Sequence, residues 1–268
     1  MLSLELKMLR GLWVYRGFIV GSVVREFQMK YRNSLLGALW NILNPLAMIL
    51  VYTLIFAEVM HARLQGREGT YAYGIYLCSG LLTWGLFAEV VGRSQGVFIE
   101  YAELLKKISF PRLCLPAIVL LSALQNFLIV FGLFSLFLLL TGNFPVRAFP
   151  AMLPLLALQL LFSIGLGITL GVLNVFFRDV GQMVGVLLQF WFWLTPIVYS
   201  IHILPAWAQR EIYWNPLAPL MLAYQRVLLD DRWPEWSSLM GLLGLSLLFC
   251  LLGLYLFRKH AADMVDEL

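Results

Sequence analysis

Residues 99–116 read IEYAELLKKISFPRLCLP, the longest internal polar interruption in the chain that also reads as a helix. Tyr101, Leu104, Leu105 and Ile108 recur at i, i+3, i+4 and i+7 and share one face, while Glu100, Glu103, Lys106 and Lys107 fall on the other. Glu103 precedes Lys107 by four residues, the favourable order for a helical ion pair of roughly 0.2–0.5 kcal/mol. Pro111 and Pro116 end the helix and redirect the chain. An amphipathic helix of this kind, at about 99–109 and held between two long apolar runs, suits docking better than catalysis. A solvated helix lying on a membrane surface would carry the same pattern.

The flanking runs fix the environment. Of 268 residues, 61% are hydrophobic and 13% charged, and the mean hydropathy is +0.84. A soluble domain carries about 25% charged residues, so this chain belongs in a bilayer. Charge-free runs cover 33–57, 69–88, 113–146, 148–177, 180–209 and 236–257. Each reaches the roughly 20 residues that cross about 30 Å of hydrocarbon. The expected fold is an all-α membrane protein in one domain, 1–268, with six transmembrane helices at about 35–57, 73–91, 113–140, 152–177, 181–199 and 237–257. The first 32 residues carry six basic side chains and no small-residue cleavage site, so no removable leader is expected.

With the amino terminus inside, thirteen of the nineteen lysines and arginines fall on inner segments. Both termini and the 99–109 helix are therefore expected in the cytoplasm. The net charge of +4 is a topology signal and gives no ground for a nucleic-acid partner. Cys78, Cys114 and Cys250 lie in or beside apolar runs without metal-ligand spacing and read as small buried hydrophobes.

Along the chain, 12–32 interleaves Leu12, Trp13, Phe18, Ile19 and Val23 with Arg16, Arg25, Lys30 and Arg32. That suits a helix in the cytoplasmic interface, or simply a basic flank of the first span. The first span places Trp40, Asn41, Asn44, Met48 and Tyr52 on one side, with Pro45 freeing a carbonyl that a neighbour must satisfy. That side either faces a wet pathway or packs within the bundle. The fourth span carries Ser163-x-x-x-Gly167-x-x-x-Gly171, a stripe of small residues that admits another backbone closely. Arg178-Asp179 forms a short charged turn at the membrane edge. The fifth span ends in QFWFWLTP, 189–196, whose four successive aromatics cover every side of the helix. An interfacial belt is one explanation. The excess favours a second job, because rigid apolar rings stack on the C–H faces of sugars. Segment 200–236 is too long and too apolar for an ordinary loop, and predicts two short re-entrant helices in the outer leaflet, broken at Asn215-Pro216.

No G-x-x-x-x-G-K-[ST], H-E-x-x-H or G-x-S-x-G stretch occurs. No ionisable group sits at the centre of an expected span, where a proton-coupled carrier would need one. If the protein moves a solute, the energy comes from another subunit, and the 99–109 helix becomes the point of force transfer.

These stretches resemble the membrane-spanning permeases of ABC-2-type polysaccharide exporters, the O-antigen, capsule and teichoic acid family, and the O-antigen exporters in particular. The resemblance runs from about Arg16 to Phe257. It rests on REFQMKYRNSLLGALWNILNP at 25–45, LLKKISFPR at 104–112, FFRDV at 176–180, TPIVYS at 195–200 and WNPLAP at 214–219. It implies a homodimer in the bacterial inner membrane, paired with two copies of a separate P-loop ATPase that holds the ATP and magnesium. No cofactor or metal is implied in this chain, and the substrate would be a lipid-linked polysaccharide. It further implies ATPase coupling through Tyr101, Glu103, Leu104, Lys106 and Lys107, and through a second element at Arg178 and Asp179. A channel rich in aromatics would be lined from Trp40, Tyr52, Phe56, Phe190, Trp191, Phe192, Trp193 and Tyr199. Arg25 and Arg32 would meet a diphosphate-linked lipid head or ordinary anionic lipid. Two other classes compete: a membrane-embedded glycan-modifying enzyme, for which Glu89, Asp179 and Asp230-Asp231 form no recognisable set, and a secondary transporter, which would have no use for the 99–109 helix.

Overall fold

The computed structural model describes residues 11, 13–31, 39–54, 71–107, 110–261 and 263–267. Among these residues every regular element is a helix. In chain order they are α1 (Arg16–Tyr31), α2 (Trp40–Leu54), α3 (Ala72–Ser94), α4 (Val97–Glu100), α5 (Ala102–Lys107), α6 (Cys114–Leu140), α7 (Met152–Phe176), α8 (Asp179–Trp193), α9 (Ala206–Glu211), α10 (Leu217–Asp230), α11 (Trp236–Lys259) and α12 (Asp263–Glu267). Short 3₁₀ turns precede α7 and flank α9.

Four helical segments have the length and apolarity to cross a membrane: Ala72–Ser94, Cys114–Leu140, Phe149–Phe176 and Trp236–Lys259. With 23 to 28 residues each, they extend about 35–42 Å at 1.5 Å per residue. Inside them hydroxyls have no water to turn to, so they donate back to their own helix. Thr83 Oγ1 reaches the Ser79 carbonyl, Ser163 that of Gln159, and Ser246 that of Leu242, each at 2.7 Å.

The remaining two expected spans are occupied by α2 and α8, each of 15 residues, about 22 Å of helix. The reason α8 ends at Trp193, not near Tyr199, is Pro196. The residue before a proline is pushed out of the helical region, and the chain there breaks into turns in which Ile197 N–H bonds the Thr195 carbonyl at 2.7 Å. The boundaries 35–39 and 55–57 of the expected first span fall largely outside the described residues.

The core forms around α3, which is buried along most of its length and packs against α2, α6, α7 and α10. Phe87, Phe134, Phe162, Leu155, Leu220 and Tyr224 are buried at its centre. The most extensive pairing is α7 with α11, and it depends on two glycines. A β-carbon on Gly165 would lie 2.7 Å from the Cys250 backbone nitrogen, and one on Gly253 would lie 2.9 Å from Thr169 Oγ1. The small-residue stripe of α7 serves a different neighbour: Gly167 and Gly171 abut Ser94 and Phe98, where α3 hands over to α4.

α1 lies against the start of α6, with Ile19 and Val23 buried on Cys114 and Ile118, and Phe18 on Phe110. At the opposite end, α10 starts level with the middle of α3, where Met221 Sδ accepts from Thr83 Oγ1 at 3.1 Å. It ends beside the α6–α7 connection, where Asp231 accepts from the backbone N–H groups of Arg147 and Ala148 at 2.9 and 2.7 Å. Asp231 adopts φ +49°, a left-handed conformation that aspartate tolerates better than most side chains at a helix end. A break at Asn215-Pro216 separates α10 from the 3₁₀ turn before it, and α10 carries ten buried residues.

Candidate functional site

One end of the bundle gathers α4, α5, the turn before α8, α12 and the carboxyl end of α11. Glu103, Lys106 and Lys107 of α5 are exposed, and Lys107 Nζ pairs with Glu103 Oε2 at 2.9 Å. The opposite face is half-buried: Tyr101 and Leu105 pack on the cluster formed by Val97, Phe98, Val172 and Phe257, with Met264 of α12 beneath. Leu104 is half-buried. Burial, reinforced by nearby Glu100 and Glu26, raises the Tyr101 phenol above its ordinary pKa, so it stays neutral. The expected single helix is divided in two, because Tyr101 at φ −100°, ψ +21° separates α4 from α5. Ile108 and Ser109 lie outside the described residues.

Arg178 and Asp179 are both exposed at the tip of the α7–α8 connection. Asp179 stands in the first turn of α8, where a carboxylate interacts favourably with the helix dipole.

A charged cluster binds α1 to the same end. Arg93 pairs with Glu26 and, at 3.4 Å, with Glu89. Ser122 donates to Glu26 Oε2 at 2.8 Å, and Asn126 donates to Glu89 Oε1 at 2.9 Å. Hydropathy places Glu89 at an inner span end but does not reveal this link. The available signal was Glu26 itself, a carboxylate on the same helical face as Ile19 and Val23. Arg25, one residue earlier, is exposed and donates to Ser22 Oγ at 2.9 Å. Arg32 lies outside the described residues.

The four aromatics of α8 divide into two pairs. Trp191 and Phe192 face the core: Trp191 meets Phe87 edge-on at 5.3 Å and Phe192 meets Trp84 at 5.7 Å. The Trp191 indole N–H donates to Asn215 Oδ1 at 2.7 Å. Asn215 Nδ2 in turn donates to Thr195 Oγ1 and the Leu194 carbonyl, so one asparagine ties the break before α10 to the end of α8. Phe190 and Trp193 point away, 64% and 61% exposed. Trp40 of α2 is exposed, and Tyr199 is half-buried with its hydroxyl donating to the Trp193 carbonyl at 3.1 Å. Tyr52 lies in α2 with its side chain outside the described part, and Phe56 lies outside the described residues altogether. Among the described residues no group of three His, Cys, Asp or Glu side chains is placed to hold a metal ion.

Four helices of membrane-crossing length and apolarity, packed into one bundle, define an integral membrane protein. The chain belongs to the ABC-2 type transporter family, whose pattern it matches over residues 19–229. Among individual relatives it is 31% identical to the O-antigen export system permease protein RfbA of Myxococcus xanthus over 268 residues, spanning 98% of this chain and 100% of that one. It is 29% identical to the protein of that name from Klebsiella pneumoniae, over 96% of each chain. With the polysialic acid transport protein KpsM of Escherichia coli it shares 24% identity, over 96% of this chain and 98% of the relative.

Proposed function

We propose that this chain is the channel half of an ATP-driven exporter that carries lipid-linked polysaccharide, O-antigen in the first place, across the bacterial inner membrane. The observation that carries this reading is the end-to-end similarity to permeases named for O-antigen export. Two permeases and two copies of a P-loop ATPase make the working unit, with both termini and α4–α5 in the cytoplasm. A hydrated polymer cannot enter hydrocarbon, so two permeases must enclose its path. The exposed faces of α2 and α8 are left for that enclosure. α2 and α8 complete the six crossings, with the bends after Trp193 extending the second of them. α9 and α10 dip into the outer leaflet and return.

Within this scheme the chain's residues have distinct tasks. The Glu103–Lys107 face of α5 and the Arg178–Asp179 turn meet the ATPase. Nucleotide binding there displaces α5 and shifts α2 against α8. Phe190 and Trp193, with Trp40, present ring faces to the sugar chain, which slides because such contacts need little directional hydrogen bonding. Arg25 and Arg32 attract the diphosphate of the lipid carrier.

The direct test reverses the docking charges. A permease with Glu103→Arg and Lys107→Glu is expected to lose partner-stimulated ATP hydrolysis and surface glycan together, at normal membrane abundance. If both stay at the wild-type level, α5 is not the docking helix. The KpsM relationship makes capsule export the competing substrate assignment. ATPase stimulation by defined lipid-linked glycans separates the two.

A further inference from the structure

One side chain joins the end of α3 to the beginning of α8. Asn174, in the last turn of α7 and buried, donates through Nδ2 to the backbone carbonyl of Gln95 and to Gln95 Oε1, both at 2.9 Å. Its Oδ1 accepts from the Gly181 N–H at 2.8 Å. Gln95 closes α3, and Gly181 lies in the first turn of α8. A helix leaves its last carbonyls and its first N–H groups without partners. A carboxamide carries both a donor and an acceptor, so this one satisfies an orphan group on each of two helices.

The surroundings leave no slack. A β-carbon on Gly181 would lie 3.0 Å from Gln95 Oε1 and 3.2 Å from Asn174 Oδ1. One turn earlier on α7, a β-carbon on Gly171 would lie 2.7 Å from the Ser94 carbonyl oxygen. Immediately after Gln95 the chain becomes α4 and α5; immediately before Gly181 it is the Arg178–Asp179 turn. Gln95 and Gly181, 86 positions apart in the sequence, are thus bonded through one amide.

We propose that Asn174 is a positioning residue that makes α4–α5 and the Arg178–Asp179 turn a single rigid body. This rests on the reading above that both elements meet the ATPase. A displacement of α5 then reaches the first turn of α8 undiminished and is carried along that helix to Phe190 and Trp193. Without the bracket, the Gln95-Gly96 turn is a joint at which α5 moves while α8 stays behind.

Two experiments on the permease–ATPase complex test this. In the first, Asn174→Ala is expected to retain ATP hydrolysis while the glycan exported per ATP falls about fivefold, the scale set by a lost hydrogen bond. A variant that lowers export and hydrolysis in the same proportion, tracking the amount of folded complex, has a structural role only and overturns the proposal. The second experiment survives if Asn174→Ala does not fold. In Gln95→Cys with Gly181→Cys, shortening residue 95 removes the atom nearest the new β-carbon. A disulfide is expected to form in native membranes, and the oxidised permease is expected to export as well as the reduced one, because a rigid body loses no motion. Failure to cross-link, or export that stops on oxidation and returns on reduction, overturns the proposal. A wild-type complex that hydrolyses ATP and exports no glycan would defeat the proposed substrate and leave this inference standing, since cross-linking of residues 95 and 181 is read without glycan.

Discussion

Trp191 and Trp193 stand two positions apart and face opposite ways, and the difference is worth a measurement. Trp191 is held in the core by Phe87 and Phe162 and by the hydrogen bond to Asn215. Trp191→Phe keeps the ring packing but strips Asn215 Oδ1 of its indole donor. It is expected to cost about 1 kcal/mol, read as a lower thermal midpoint in detergent with export per folded molecule unchanged. Phe190→Ala with Trp193→Ala removes two exposed rings and should do the reverse, leaving the midpoint in place and reducing export. Equal export from that pair at equal protein abundance would end the sugar-stacking role. Sequence alone could not divide these residues, because a run of four aromatics has no period. What divides them is the position of Asn215, which only the folded chain brings to α8.

At the scale of elements, the glycines of α7 carry the clearest expectation. Gly171→Val would place a β-carbon 2.7 Å from the Ser94 carbonyl and against the Phe98 ring, and overpacking of this kind costs about 1–3 kcal/mol or more. Loss of folded permease in a fluorescence-detected size-exclusion profile is the expected result. Gly185 on α8 has nothing within 4 Å of its added β-carbon, so Gly185→Ala should leave the same profile intact. Much of this layer was legible beforehand. The Ser163, Gly167, Gly171 stripe announced a close helix contact, and the ends of the four membrane-length helices differ from the hydropathy boundaries by three residues or fewer. The contact partner was not legible, since spacing on one helix says nothing of which neighbour it meets. Nor was the break at Tyr101, because the periodicity of 99–108 continues through it. The Glu26–Arg93–Glu89 link escaped for a similar reason: each charge reads as solvated until α1 is folded against α3 and α6. Arg93→Met would leave the two carboxylates without their shared cation and should loosen α1, measurable as faster proteolysis within 16–31.

At the scale of the whole molecule, the proposed export path is enclosed by two chains and driven by a separate P-loop ATPase. Reconstitution into liposomes loaded with lipid-linked glycan measures this most directly, with glycan on the opposite leaflet scored by an impermeant glycosidase. With the P-loop ATPase and ATP present, the permease is predicted to move glycan; without the ATPase, or with ATP replaced by a non-hydrolysable analogue, none is predicted to cross. Sustained translocation by the permease alone would contradict the account.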